Sequence, residues 1–417
     1  MRKSFHPSQP VAPPFGRLGY PIAVLAVVFL FLFPVKSWFL QEGHRWQYIA
    51  LFSFLLSFLL VRPTRAIARR QGIMDVPDGR KLHGEPIPLL GGIAIYLAFL
   101  VSLLANSILP PAIWGLLIGG TLTIGISLVD DIRPLPAWLK LAILTGASLV
   151  VIASGTSLTL FPTGMLWGQA LNVGLTILWI VGITSAMNFF DGMDGMAAGL
   201  SAIAAFFLGV IAFQSQQVYL GWIAAALLGT TLGFLPYNFR PGGRATIFLG
   251  DAGSNFLGFI LAALAVKGEW AANSMVDAVA PLLIFGVFIY DMLYTTIERV
   301  ALGKVKSVRE WIDYVGRDHL HHRMEKVLGK KEYATVFVYA LSFTLGLKAT
   351  ILLMASPAAS YLLILQAVII LAGLTVLERR GRRRHLMGFD TTREGVRSDA
   401  WTGHPSQAEE PLKRESA

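Results

Sequence analysis

The sequence predicts an all-α, polytopic membrane protein with about 11 to 12 transmembrane helices and a cytoplasmic-face active site, and three observations carry that prediction. The first is composition. Of 417 residues, 54% are hydrophobic and 14% charged, where a soluble domain carries about a quarter charged residues. The second is the length of the apolar runs, most of them near the roughly 20 residues a bilayer requires. They span Tyr20 to Leu40, Gln47 to Val61, and segments near 89–109, 112–129, 136–154, 171–187, 195–214, 218–236, 253–267, 278–297, 334–355 and 359–377. The third is charge sorting. Alternating crossings send Arg62, Arg65, Arg69, Arg70, Arg80, Lys81, Arg133, Arg240, Arg244, the nine Lys/Arg from Arg299 to Lys331 and the arginines of 378–384 to one face, and little beyond Arg45 and Lys267 to the other. The positive-inside rule makes the first face cytoplasmic, with both termini there.

The ends divide accordingly. Residues 1–19 read as a cytoplasmic tail, 20–378 as the multi-spanning catalytic domain, and 379–417 as a disordered cytoplasmic tail, charged and poor in apolar residues. Pro21, Pro34 and Lys36 weaken the first span. No small-residue cleavage site follows it, so an uncleaved helix is expected rather than a signal peptide. Lys348, inside the eleventh span, is expected to snorkel outward. The absence of cysteine excludes disulfides and Cys-ligated zinc. The net charge of +10 is accounted for by membrane orientation, and no motif points to nucleic acid.

Acids beside apolar spans are costly and so carry functional meaning. Between residues 89 and 300 the carboxylates are Asp130, Asp131, Asp191, Asp194, Asp251, Glu269, Asp277, Asp291 and Glu298. The first five fall at cytoplasmic helix ends although 121 residues (251 − 130) separate Asp130 from Asp251. That convergence predicts one site. Asn188, Asp191 and Asp194 recur every third residue, which puts them on roughly one face of a helical turn. Adjacent helix positions point about 100° apart, so one of Asp130 and Asp131 faces a ligand and the other positions a cation or water. Oxygen ligands of this kind suit Mg²⁺, with Mn²⁺ as a substitute.

Other segments supply donors. The turn-rich loop Val76–His83 leads through Pro86–Gly92 into a helix and offers Arg80, Lys81 and His83 to phosphate. Asn238 ends the eighth span, and Phe248 precedes Gly250, Asp251 and Gly253 at a helix start that favours anions. Asp318-His-Leu-His-His-Arg323 holds three histidines without the spacing of a structural zinc site. Imidazoles and Arg323 fit a phosphate oxygen better. The Asp-Gly start at Asp191 also occurs in CDP-alcohol phosphotransferases, but those need further acids on the next helix, and none lies between Asp194 and Asp251.

Five motifs together resemble the polyprenyl-phosphate N-acetylhexosamine-1-phosphate transferases: Pro77-Asp-Gly-Arg-Lys-Leu-His83 with Pro88-Leu-Leu-Gly-Gly92, Asp130-Asp131, Asn188-Phe-Phe-Asp-Gly-Met-Asp-Gly195, Phe248-Leu-Gly-Asp-Ala-Gly-Ser254 and His319-Leu-His-His-Arg323. They cover about residues 62–376 in order, and the histidine motif resembles the GlcNAc-1-phosphate branch rather than the phospho-MurNAc-pentapeptide branch. The resemblance implies transfer of a HexNAc-1-phosphate from a UDP-sugar to undecaprenyl phosphate at the bacterial inner membrane, releasing UMP, with Mg²⁺. It implies Asp251 as principal metal ligand with Asp191 beside it, Asn188 and Asp194 on the nucleotide, and Phe248 stacked on uracil. Asn238 joins the substrate-binding set. Lys81, His319, His321, His322 and Arg323 would touch phosphates, and Asp130, with Asp131 beside it, would be base or phosphate-positioning acid. Direct attack and an aspartyl-phosphate intermediate both remain compatible with these residues, and a homodimer is one expected assembly. The segment Ser307–Asp318 is longer than the family pattern, and the first span is extra to it. A secondary transporter is the alternative, but it calls for internal repeats and midplane acids. No repeat is visible, and Asp291 alone lies within a span.

Overall fold

The computed structural model describes residues 16, 18–76, 85–268, 278–314 and 316–386. Every apolar segment of the sequence is helical there. Helices α1 (Gly19–Phe31) and α2 (Phe33–Gln41) meet at a 69° bend. Pro34 sits at the start of α2, where its missing N–H costs nothing. Then follow α3 (Arg45–Gln71), a two-residue antiparallel pairing of β1 (Met74–Asp75) with β2 (Ile87–Pro88), α4 (Gly91–Ala105), α5 (Trp114–Ile132), α6 (Ala137–Ala153), α7 (Leu166–Phe190), α8 (Met196–Gln214), α9 (Val218–Asn238) and α10 (Gly250–Lys267). The tenth span is broken into α11 (Val279–Ile284) and α12 (Gly286–Ala301). Helices α13 (Val308–Asp313) and α14 (Leu320–Leu328) precede α15 (Lys331–Leu352) and α16 (Pro357–Leu386).

Among the described residues, seven helices are long and apolar enough to cross a membrane, or eight if α1 and α2 form one bent span. The other spans of the sequence are shorter or broken helices: α4 has 15 residues, α6 17 and α10 18. Helix α10 tolerates this because it is wrapped by protein. Every residue from Ala252 to Val266 is buried, and α4, α5, α7 and α8 pack around it. Helix α16 continues to Leu386, past the boundary expected at 378, and residues 387–417 lie outside the described residues, as do nearly all of 1–17.

Small residues let helices approach where lipid offers no hydrophobic gain on association. A Cβ at Gly229 or Gly233 of α9 would stand 2.2 Å from the Ala50 or Phe54 carbonyl oxygen of α3. These two helices therefore touch backbone to backbone. Lys348 does not snorkel. It is 7% exposed and its ammonium meets the Gln366 amide oxygen of α16, a polar tie that satisfies the charge between helices.

The fold gathers one end of the bundle. The C-termini of α3, α5, α7 and α9 alternate there with the N-termini of α4, α6, α8, α10 and α15. Backbone bonds lock the loops together: Phe248 N–H donates to the Pro88 carbonyl, Gly91 N–H to the Phe248 carbonyl and Gly92 N–H to the Leu249 carbonyl, at 2.8, 3.0 and 2.9 Å.

Candidate active site

A cavity of about 710 Å³ opens at this end, lined by Asp75, Asp130, Asp131, Asp191, Asp194 and Asp251 together with Lys140, Arg240, Arg244, Arg317 and Lys331. The five acids predicted to converge do so.

Each acid has a different occupation. Asp131 accepts hydrogen bonds from the Asp251 and Ala252 backbone N–H groups, at 2.9 and 3.1 Å. It caps α10 from another helix, where a carboxylate meets the positive end of the dipole. Gly250 makes room: its φ is +76°, and a Cβ would lie 2.7 Å from both Asp131 Oδ2 and the Leu89 carbonyl. Asp130 accepts from Leu135 N–H at 2.7 Å and pairs with the Lys140 ammonium. Lys140 also lies 3.6 Å from Asp251. The Asp251 side chain is 38% exposed against 5% for Asp130, so Asp251 is the acid presented to a ligand. Asn188 orients it, donating from its amide to Asp251 Oδ1 and to Ser254 Oγ, both at 3.0 Å. Asn188 is thus a positioning residue at the foot of the cavity.

Asp191 closes α7, and its carboxyl is pushed well above the usual carboxylate range by burial and then by the charges of Asp251, Asp131, Asp194 and Asp75. Like charges gathered so closely, all hard oxygen donors, fit a divalent cation. Among the described residues no three such groups cage an ion by themselves.

Asp194 accepts from Ala245 N–H at 3.1 Å, holding the loop that carries Arg240 and Arg244. Asn238 is 3% exposed and uses its amide on Gly195 N–H (2.8 Å) and the Ile247 carbonyl (3.1 Å), clamping two motif loops. Phe248 lines the cavity. Lys81 and His83 lie outside the described residues, but the β1–β2 pairing fixes both ends of their loop next to Asp75.

The histidine motif divides. His322 alone of its members lines the cavity. Burial, then Arg317, His319, Lys326 and Lys331, push its imidazole down to about 4, so at neutral pH it is an uncharged donor. His321 is 1% exposed, neither ring nitrogen has a partner, and its Nε2 stands 3.0 Å from where a Cβ on Gly192 would be. His319 and Arg323 do not reach the cavity wall. His319 stacks on Phe189 and binds Asp291 Oδ2 through Nδ1 at 2.7 Å. Arg323 donates to Glu378 of α16 at 2.8 Å and lies 3.3 Å from Asp291. A guanidinium already committed to two carboxylates is not a free phosphate donor. Asp291 in turn accepts from Leu320 N–H at 2.6 Å and so caps α14. The sequence reading missed Lys140, a lone lysine within an apolar span whose only signal is its place one turn into a helix after the acid pair.

The fold and site define an integral membrane enzyme that handles phosphate esters at one end of a helical bundle. The pattern of glycosyl transferase family 4 matches residues 113–269. A Bacillus subtilis protein named probable undecaprenyl-phosphate N-acetylglucosaminyl 1-phosphate transferase is 31% identical over 311 residues, covering 73% of this chain and 84% of its own. The Mycobacterium tuberculosis decaprenyl-phosphate N-acetylglucosaminephosphotransferase is 28% identical over 369 residues, covering 80% and 89%. Undecaprenyl-phosphate alpha-N-acetylglucosaminyl 1-phosphate transferase of Escherichia coli K12 is 26% identical over 282 residues, covering 66% and 74%. The chain belongs to glycosyl transferase family 4, among its polyprenyl-phosphate sugar-1-phosphate transferases.

Proposed function

We propose that the protein transfers GlcNAc-1-phosphate from UDP-GlcNAc to a polyprenyl phosphate, releasing UMP and giving the polyprenyl-pyrophosphoryl sugar. Mg²⁺ dependence, a site facing the cytoplasm from the bacterial inner membrane, and assembly as a homodimer belong to the same proposal. One observation carries it: exposed Asp251 and crowded Asp191 share a cavity with Lys140, Arg240, Arg244, Arg317 and Lys331. A water-soluble donor with a pyrophosphate and a lipid phosphate both need such a mixed surface.

In the reaction an oxygen of the acceptor phosphate bonds to the sugar-bearing β-phosphorus, and the bond from that phosphorus to the UMP oxygen breaks. Asp251 and Asp191 would hold a divalent cation, which would supply charge neutralisation at the transferring and leaving oxygens. Asp130, paired with Lys140, positions that ammonium toward the phosphate oxygens. Asp131 and Asn188 fix the backbone and carboxylate of Asp251, and His322 donates a neutral N–H to a phosphate oxygen. The bulk of α14 serves to place His322.

The test is UMP release from a panel of UDP-sugars with polyprenyl phosphate and Mg²⁺, repeated with chelator and with Asp251→Asn. Lipid- and metal-dependent UMP from UDP-GlcNAc, lost in the variant, is expected. No UMP with any donor, from folded protein, overturns the transferase reading.

A further inference from the structure

A second charged feature lies beside the cavity, between α1, α3 and α9. Arg62, Arg65 and Arg69 fall on one face of α3, three and four residues apart. Arg240, just past α9, comes to the same place: Arg69, Arg240 and Arg62 all act on Arg65 through their charge. The Arg62 guanidinium lies 4.1 Å over the Tyr20 ring of α1, and the fully buried Tyr237 of α9 packs beneath. Arg62, Arg65 and Arg240 are half-buried. Arg65 Nε and Arg240 Nη1 are wholly shielded from solvent with no hydrogen-bond partner, and among the described residues no carboxylate pairs with any of the three.

Partly buried cations gathered without counter-charge call for an anion. Depth says which kind. Helix α3 has 27 residues, about 40 Å at 1.5 Å per residue, against a hydrocarbon core of about 30 Å. Its apolar stretch ends at Val61, so Arg62 to Arg69 stand at head-group level. Basic pockets between transmembrane helices at that level take lipid phosphates. At the opposite end of α3 a single arginine, Arg45, donates to the Asn106 carbonyl at 2.6 Å and stacks on Trp222 at 3.8 Å; its Nε also lacks a partner, but no second cation crowds it.

We infer that Arg62, Arg65 and Arg240 form a binding pocket for a lipid-borne phosphate, separate from the acid cluster and joined to its cavity only through Arg240. Such a phosphate neutralises the pocket and secures α1 and α9 to α3. The inference stands whether or not the transfer reaction does, because it requires only binding.

The chain has no cysteine, so Ala66→Cys on exposed α3 surface beside Arg65 gives a single position for a fluorophore. The labelled protein is titrated, in nanodiscs, with phosphatidylglycerol or phosphatidylcholine bearing a nitroxide near the head group. Quenching by the anionic lipid is expected at a mole fraction at least about fivefold lower, the preference one interfacial cation confers. The preference disappears in Arg65→Gln/Arg240→Gln. If that pair does not fold, Arg62→Gln alone carries the comparison, with a partial loss expected. Unlabelled polyprenyl phosphate that relieves quenching assigns the pocket to an acceptor-type lipid, and failure to relieve it assigns the pocket to bilayer phospholipid. Equal quenching by the two labelled lipids, an unchanged preference in the folded variants, or relief by inorganic phosphate alone overturns the inference.

Discussion

The acid cluster and the histidine motif meet at one cavity yet are built on opposite principles. Around Asp191 the charges are alike and unresolved: burial and four neighbouring carboxylates keep its carboxyl well above its ordinary range. Around Asp291 the charges are paired, with His319, Arg323 and the N-terminus of α14 all on one buried carboxylate. An unresolved cluster binds what relieves it, whereas a paired one holds geometry. On the proposed reading the catalytic work falls to the ends of α5, α7 and α10, and α14 serves to place one imidazole, His322.

The sharpest way to break this comparison is to remove a paired partner. Arg323→Met leaves Asp291 and Glu378 buried without their shared cation. Loss of one member of a buried pair costs about 3–5 kcal/mol. The expected outcome is a lower melting temperature and less folded protein, with the protein that does fold keeping its affinity for divalent cations. A variant that folds normally but no longer binds the donor would move Arg323 into the site.

Asp251→Asn tests the other side. It preserves shape and the Asn188 contact but withdraws the exposed charge, and kcat is expected to fall about 10²–10³-fold with melting temperature unchanged or higher. Asn188→Ala is the graded version. It removes the amide that aims Asp251 at 3.0 Å, and groups that orient a metal ligand are typically worth about 10–100-fold in affinity or activity. Mn²⁺ affinity, read by electron paramagnetic resonance, should weaken before the melting temperature moves. Equal loss of both would make Asn188 merely structural.

What was legible in the sequence follows from what lipid forbids. Every apolar run became helix because an unbonded backbone is not tolerated in hydrocarbon. The five acids could be joined into one site because charge sorting put them on one face. Donors were harder. In sequence, Arg323 looks the same whether it meets a phosphate or Glu378, which is 55 residues away (378 − 323). His319 is equally ambiguous until Asp291 is seen beneath it. Lys140 carried no motif, and its partnership with Asp130 depends on how tightly α5 turns into α6. Lys348 was read against lipid alone, and Gln366, its partner on α16, is invisible to a rule about single helices.

The smallest effect expected separates the two regions by pH. Asp191 binds its proton more tightly in the folded chain than in the unfolded chain, where carboxyls titrate near about 4. The metal-free folded state therefore holds the extra proton above that value. Stability is fully present below about pH 4 and declines as pH rises through the window up to the raised value. Divalent cations should reverse the decline, because they favour the ionised form. Asp191→Asn should remove the decline, leave only the rise that His322 contributes, and raise the melting temperature of metal-free protein by about 2 °C, the shift on the order of 1 kcal/mol brings in a chain of this size. His322 contributes the opposite sign lower down. Its depressed imidazole, near 4, removes stability as pH falls below about 6.5, so the two trends cross in one titration. A metal-free stability curve whose pH dependence is the same in wild type and Asp191→Asn would place the repulsion elsewhere than at Asp191.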